Sequence, residues 1–123
     1  KPDKIVGLDA RGFIFGSVVA YALDVPFVMV RKPGKLPDEC ISIDYDLEYG
    51  TNTFELHKNS IAKNDNVLIV DDLLATGGSV QAVIKLIQEL DANVVALECI
   101  IELGFLNARS LLGIDINAQI TYD

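Results

Sequence analysis

The sequence predicts an α/β domain built on a mostly parallel, twisted sheet flanked by helices. Three observations carry this. "VLIVDD" (67–72) is a non-alternating, β-branched run, the pattern of a strand covered on both faces of a parallel sheet. Val80, Val83, Ile84, Ile87 and Leu90 follow at i, i+3, i+4, i+7 and i+10, which places them on one helix face. Strand-like and helix-like segments then alternate along the chain, as in a series of βαβ units.

Taken in order, "KIVGLD" (4–9) reads as a short buried strand. "GFIFGSVVAYAL" (12–23) is apolar all round, which predicts a buried helix opening on glycine, with Phe13 and Phe15 in the core. "PFVMV" (26–30) is a second strand, and "RKPGKLPDEC" (31–40) is a loop punctuated by two prolines and a glycine. "ISIDYDLEYG" (41–50) alternates apolar and polar residues like an exposed hairpin strand, and "TNTFELHK" (51–58) is its return arm. "KNDN" (63–66) is a turn before the strand at 67–72, and the helix after it begins near Ser79. "NVVALECIIEL" (93–103) is a strand, "LNARSLL" (106–112) a short helix and "AQITY" (118–122) a last strand. Asp9, Arg31 and Asp71 all fall at predicted strand ends on one edge, and ligands of such sheets bind at the carboxyl ends of the strands.

Composition narrows the function. The chain has 123 residues, 50% of them hydrophobic, enough for one domain with a real core. Its net charge of −8 argues against general nucleic-acid binding, which needs a basic face. No apolar run approaches the ~20 residues needed to span a bilayer, and no signal-peptide core follows the charged start, so neither membrane nor secretion is expected. Cys40 and Cys99 lie far apart with no metal-binding spacing and read as reduced thiols of a cytoplasmic protein. The chain opens on Lys1, almost directly at a strand, and is expected to be a piece of a longer protein.

The chemistry concentrates in "VLIVDDLLATGGSV" (67–80). A Gly-Gly loop lets successive backbone N–H groups turn toward one point, and the following helix adds its N-terminal dipole. Thr76 and Ser79 hydroxyls can donate as well, so the loop is a phosphate cradle, although no lysine follows the glycines as in a Walker loop. Asp71 and Asp72 can accept hydrogen bonds from a vicinal diol or hold magnesium through water. A phosphate beside a diol describes a ribose 5-phosphate. The plainer alternative is a tight turn in which an aspartate caps the helix. Elsewhere, Arg31, Lys32 and Lys35 put three of the ten basic residues within five positions, a place for an anion in an otherwise acidic chain.

This stretch resembles the signature of type I phosphoribosyltransferases, and "DDLLATGGS" is similar in particular to the adenine phosphoribosyltransferase version. "GLDARGFIFG" (7–16), "RKPGKLP" (31–37) and "DLEYGTNTFELHK" (46–58) agree in the same order, so the resemblance covers nearly the whole chain. It implies a type I phosphoribosyltransferase core with a flexible catalytic hairpin loop. The implied reaction is attack of adenine on phosphoribosyl pyrophosphate, bound with Mg2+, giving AMP and pyrophosphate in purine salvage. Asp71 and Asp72 would meet the ribose hydroxyls. Ala75, Thr76, Gly77, Gly78 and Ser79 would wrap the 5-phosphate. Asp9, Ala10 and Arg11 would hold pyrophosphate, with Arg31, Lys32 and Lys35 adding positive charge; in many members the position of Pro33 is basic. Glu48 would be the catalytic acid/base for the proton of the adenine imidazole ring, and Tyr49 would help close the loop. No direct metal ligand is implied, since magnesium travels with the substrate and meets Asp71 or Asp72 through water.

The resemblance further implies a cytoplasmic homodimer, with part of the 12–23 segment against the second subunit. Family members usually carry an amino-terminal hood over the base; residues 1–123 are expected to be the single core domain without it. Two other readings compete. One is a phosphoribosyltransferase for another purine, against which "DLEYG" speaks; the other is a non-catalytic regulatory module that binds phosphoribosyl pyrophosphate.

Overall fold

The computed structural model describes residues 1–47 and 50–123. Glu48 and Tyr49, expected to supply acid/base chemistry and loop closure, lie outside the described residues. Five strands form one wholly parallel sheet in the order β2-β1-β5-β6-β7. They are β1 (Lys4–Leu8), β2 (Phe27–Val30), β5 (Asn66–Leu74), β6 (Asn93–Leu103) and β7 (Asp115–Tyr122). β3 (Cys40–Leu47) and β4 (Gly50–His57) form a separate antiparallel hairpin, tied to the sheet by a bridge between Arg31 and Glu55. The helices are α1 (Gly12–Leu23), α2 (Gly78–Glu89) and α3 (Ala108–Leu112), the last preceded by a 3₁₀ turn at Gly104–Leu106.

The main core lies on the face covered by α2, α3 and the hairpin. Val6, Leu8, Val30, Ile69 and Leu97 from the sheet meet Val80, Val83, Ile84 and Ile87 of α2 there. The apolar face read from the α2 sequence is therefore the buried one. The hairpin is less exposed than its alternation predicts. Phe54 and Leu56 are fully buried, and Ile41, Ile43 and Tyr45 pack against the same core, because the apolar side of the alternation lies over α2.

The reading of α1 as a buried helix needs correction. Only Gly12, Gly16 and Ala20 are buried, while Ile14, Val18 and Tyr21 are 64%, 65% and 89% exposed. Phe15 is exposed as well, and Phe13 is half-buried with its ring edge-on to Phe27. The physical reason is the small stripe at i, i+4 and i+8. It seats the helix so closely on the sheet that a Cβ at Gly16 would lie 2.6 Å from the Phe27 ring. An all-round apolar helix reads as buried on every side, yet among the described residues this one is buried only along Gly12, Gly16 and Ala20.

Several boundaries also move. β1 ends at Leu8, leaving Asp9 in the loop, and β5 runs two residues past Asp72 to Leu74. β5 is paired with β6 on one side as far as Glu102, and this ladder carries it beyond the acids. Helix α2 starts at Gly78, α3 at Ala108, and β7 begins at Asp115, earlier than its apolar run implies, because it pairs along β6 from Ala96.

Candidate active site

At the carboxyl edge of the sheet, the loop after β1 and the loop after β5 face each other across a cleft of about 320 Å³. One wall is Asp9, Ala10 and Arg11; the Asp9–Ala10 peptide bond is cis. Asp71 and Asp72 form the floor. Ala75, Thr76, Gly77 and Ser79 form the opposite wall, and Lys32 reaches the rim. Ten of the residues singled out in the sequence thus converge. Gly78 supports the turn without lining the cleft, and Arg31 and Lys35 do not line it either.

The wall after β5 is a helix start. Gly77, at φ +91°, takes the left-handed conformation that glycine adopts without a Cβ penalty, and no side chain caps α2. The reading in which an aspartate caps this helix therefore fails. The first amides of α2 are left to meet whatever anion enters. Behind the turn stands α3, so that a Cβ at Gly77 would lie 3.0 Å from the Ala108 Cβ. Helix α3 is itself pinned by Arg109, which makes two hydrogen bonds to the buried Glu102 carboxylate (2.8 and 2.9 Å) and a third to the Ile116 carbonyl. Arg109 holds that carboxyl below the usual range. Sequence reading missed this support, because nothing local links residues seven apart at the end of a strand and in the next helix.

The two acids of the floor differ. Asp71 is half-buried and accepts a hydrogen bond from the Asp72 N–H (2.9 Å). Burial, followed by the side chain and charge of Asp72, pushes the Asp71 carboxyl up to about 7, against the lowering pull of that N–H and of Arg11. Asp72 forms an ion pair with Arg11 (2.8 Å). The guanidinium expected to hold an anion thus bridges to the floor. It is 74% exposed, so this pair is a weak tether that a stronger anion can displace. Asp9 turns its carboxylate to Arg31 (3.3 Å) and to the Lys32 N–H (3.4 Å), fixing the basic loop against the β1 loop. Arg31 also lies over the Phe13 ring, 5.7 Å from its centroid.

Two further predictions arise here. Gly12 opens α1 directly beneath the acids, and a Cβ there would lie 2.9 Å from Asp71 Oδ1 and 3.0 Å from the Val70 carbonyl. Gly12→Ala is expected to displace the Asp71 carboxylate and cost at least tenfold in kcat/KM. Steady-state kinetics check this; an unchanged value means that Asp71 tolerates the shift. The second concerns stability. A carboxyl raised from 3.8 to about 7 binds its proton more tightly in the folded state. Its favourable contribution is complete below pH ~4 and is lost as pH rises through about 7. Asp71→Asn should therefore melt higher than wild type at pH 8, with the gap shrinking toward pH 4, as thermal melts across that range would show.

Residues 1–109 match the phosphoribosyl transferase domain family. An adenine phosphoribosyltransferase from Agathobacter rectalis is 53% identical over 98% of this chain and 70% of its own length. The chain belongs to the adenine phosphoribosyltransferase family. Among solved structures, the adenine phosphoribosyltransferase of Thermoanaerobacter pseudethanolicus superposes with a TM-score of 0.95 at 49% identity, covering 99% of this chain and 72% of that one. The Saccharomyces cerevisiae enzyme, crystallised with an imino-altritol bisphosphate and adenine, gives 0.92 at 49% identity, covering 96% and 67%. With the adenine phosphoribosyltransferase fold, the parallel sheet places the β1 and β5 loops on one edge by topology alone. Among the cleft-lining residues, Tyr45, Asn52 and Phe54 of the hairpin were not singled out in the sequence. The alternation of "ISIDYDL" and "NTFEL" carried a signal for their shared face, but not for what that face overlooks.

Proposed function

We propose that this chain transfers the 5-phosphoribosyl group of phosphoribosyl pyrophosphate to adenine, giving AMP and pyrophosphate. The observation that carries this is the cleft itself, where paired carboxylates lie between an uncapped helix start and a second loop bearing Arg11. Asp71 and Asp72 accept hydrogen bonds from the two ribose hydroxyls. The amides and hydroxyls of Ala75–Ser79 hold the 5-phosphate. Ala10 and Arg11 take the pyrophosphate, and Arg11 leaves Asp72 for it as the acid turns to the ribose.

Bond breaking at the anomeric carbon puts negative charge on the departing pyrophosphate. Fixed cations at that end stabilise it most where charge develops. Arg11 and Lys32 line the cleft, and Arg31 and Lys35 of the same basic loop add positive charge to that end. Glu48 handles the proton of the adenine imidazole ring, and Tyr49 closes over the reaction; both assignments rest on the family motif. Excluding water spares the donor from hydrolysis.

Magnesium belongs to the substrate in this reading. Among the described residues no three histidine, cysteine or carboxylate side chains gather around one point. Asp71 and Asp72 supply too few ligands for a resident ion, but suit one that arrives on the pyrophosphate oxygens and meets the protein through water. A cytoplasmic homodimer is part of the same proposal. It is supported by the exposed Ile14, Val18 and Tyr21 of α1, an apolar patch of the kind interfaces cover. No described helix is long and apolar enough to cross a membrane.

The test is pyrophosphate release from magnesium phosphoribosyl pyrophosphate with adenine, hypoxanthine, guanine and xanthine in turn. Release with adenine alone is expected. Release with an oxopurine instead would overturn the base assignment while keeping the donor site.

A further inference from the structure

The inward face of the hairpin changes character along its length. On β4 it runs from Leu56, wholly buried, through Phe54, 3% exposed, to Asn52; on β3 it runs through Ile41 and Ile43 to Tyr45. Both arms thus end a core-facing apolar row on a polar group. The two groups are directly opposed in the strand register. Tyr45 is stacked on Phe54, with centroids 4.9 Å apart and planes at 26°, so the core clamps its ring. The Tyr45 phenol and the Asn52 carboxamide together carry one O–H and two N–H donors that a ligand can use. Tyr45 and Asn52 line the same cleft as Thr76, Gly77 and Ser79. The hairpin carrying them packs on α2, whose first turn is the phosphate cradle.

We infer that Tyr45 and Asn52 form a second wall of the cradle and donate hydrogen bonds to the 5-phosphate of the phosphoribosyl group. This rests on the donor site proposed above. It assigns the opposed Tyr45–Asn52 pair a binding role distinct from the acid/base role proposed for Glu48. The phosphate then touches two elements at once, the start of α2 and the hairpin, and its binding sets the hairpin's position.

The test is calorimetric titration of the chain with ribose 5-phosphate and, separately, with magnesium pyrophosphate. Asn52→Ala is expected to weaken ribose 5-phosphate about tenfold, the scale of a hydrogen bond to a charged group. Pyrophosphate should stay within twofold. Tyr45→Phe keeps the stack on Phe54 and removes only the hydroxyl, so a loss confined to ribose 5-phosphate in that variant separates donation from misfolding. Ribose 5-phosphate affinity within twofold of wild type in both variants would overturn the inference, as would equal weakening of both ligands. Wild type that binds neither ligand would overturn the donor site itself.

Discussion

Asp71→Asn combined with Asp72→Asn is expected to abolish turnover while leaving the fold intact. Each carboxylate that accepts a hydroxyl proton contributes about 1.5–3 kcal/mol as a hydrogen bond to a charged group. Losing two therefore lowers kcat/KM by about 100-fold or more. The fold should survive because amides keep the shape of the carboxylates and remove a charge that burial disfavours at Asp71. The lost Arg11–Asp72 pair is open to water on the arginine side and adds at most about 1 kcal/mol. Steady-state kinetics and a thermal melt on one preparation decide the matter. Normal kinetics in the double variant would remove these acids from the site, and loss of the cooperative melt would make them structural.

Glu48→Ala should lower kcat by roughly 100-fold or more, the usual scale of general acid/base catalysis, with donor affinity unchanged within about threefold. The separation follows from the proposed roles. The donor is held by the β1 and β5 loops, whereas the proton of the base is handled from the hairpin. Binding of magnesium phosphoribosyl pyrophosphate measured beside turnover distinguishes the outcomes. Collapse of donor affinity with turnover would make Glu48 a binding residue. Retained turnover would leave the proton to another group.

Much of this cleft is legible in the sequence, for a physical reason. The cradle and its acids occupy one contiguous stretch, 67–80, where spacing along the chain is spacing in space. The same holds for β1 followed by Asp9–Arg11, and for α2, whose apolar face sits on the core as its periodicity predicts. A parallel sheet then brings the two loops together, since every β-to-α turn leaves the same edge.

What failed was whatever depended on a partner distant in sequence. Helix α1 is apolar all round, yet its contact with the sheet runs through Gly12, Gly16 and Ala20, and its larger side chains face outward. Arg11 carries a charge suited to an anion, but its ion pair with Asp72 joins the two loops across the cleft. Asp71 and Asp72 are chemically alike, yet burial first, and then the neighbouring Asp72, push the Asp71 carboxyl up to about 7.

Local pattern and contiguous motifs already set the strand–helix order, the mostly parallel sheet, the Gly-Gly turn and the paired acids. The face of α1 that is covered, the burial that pushes the Asp71 carboxyl up and the hairpin residues that overlook the cleft came from the assembled fold. Those properties belong to surroundings assembled from distant segments, and no residue carries its surroundings in its own name.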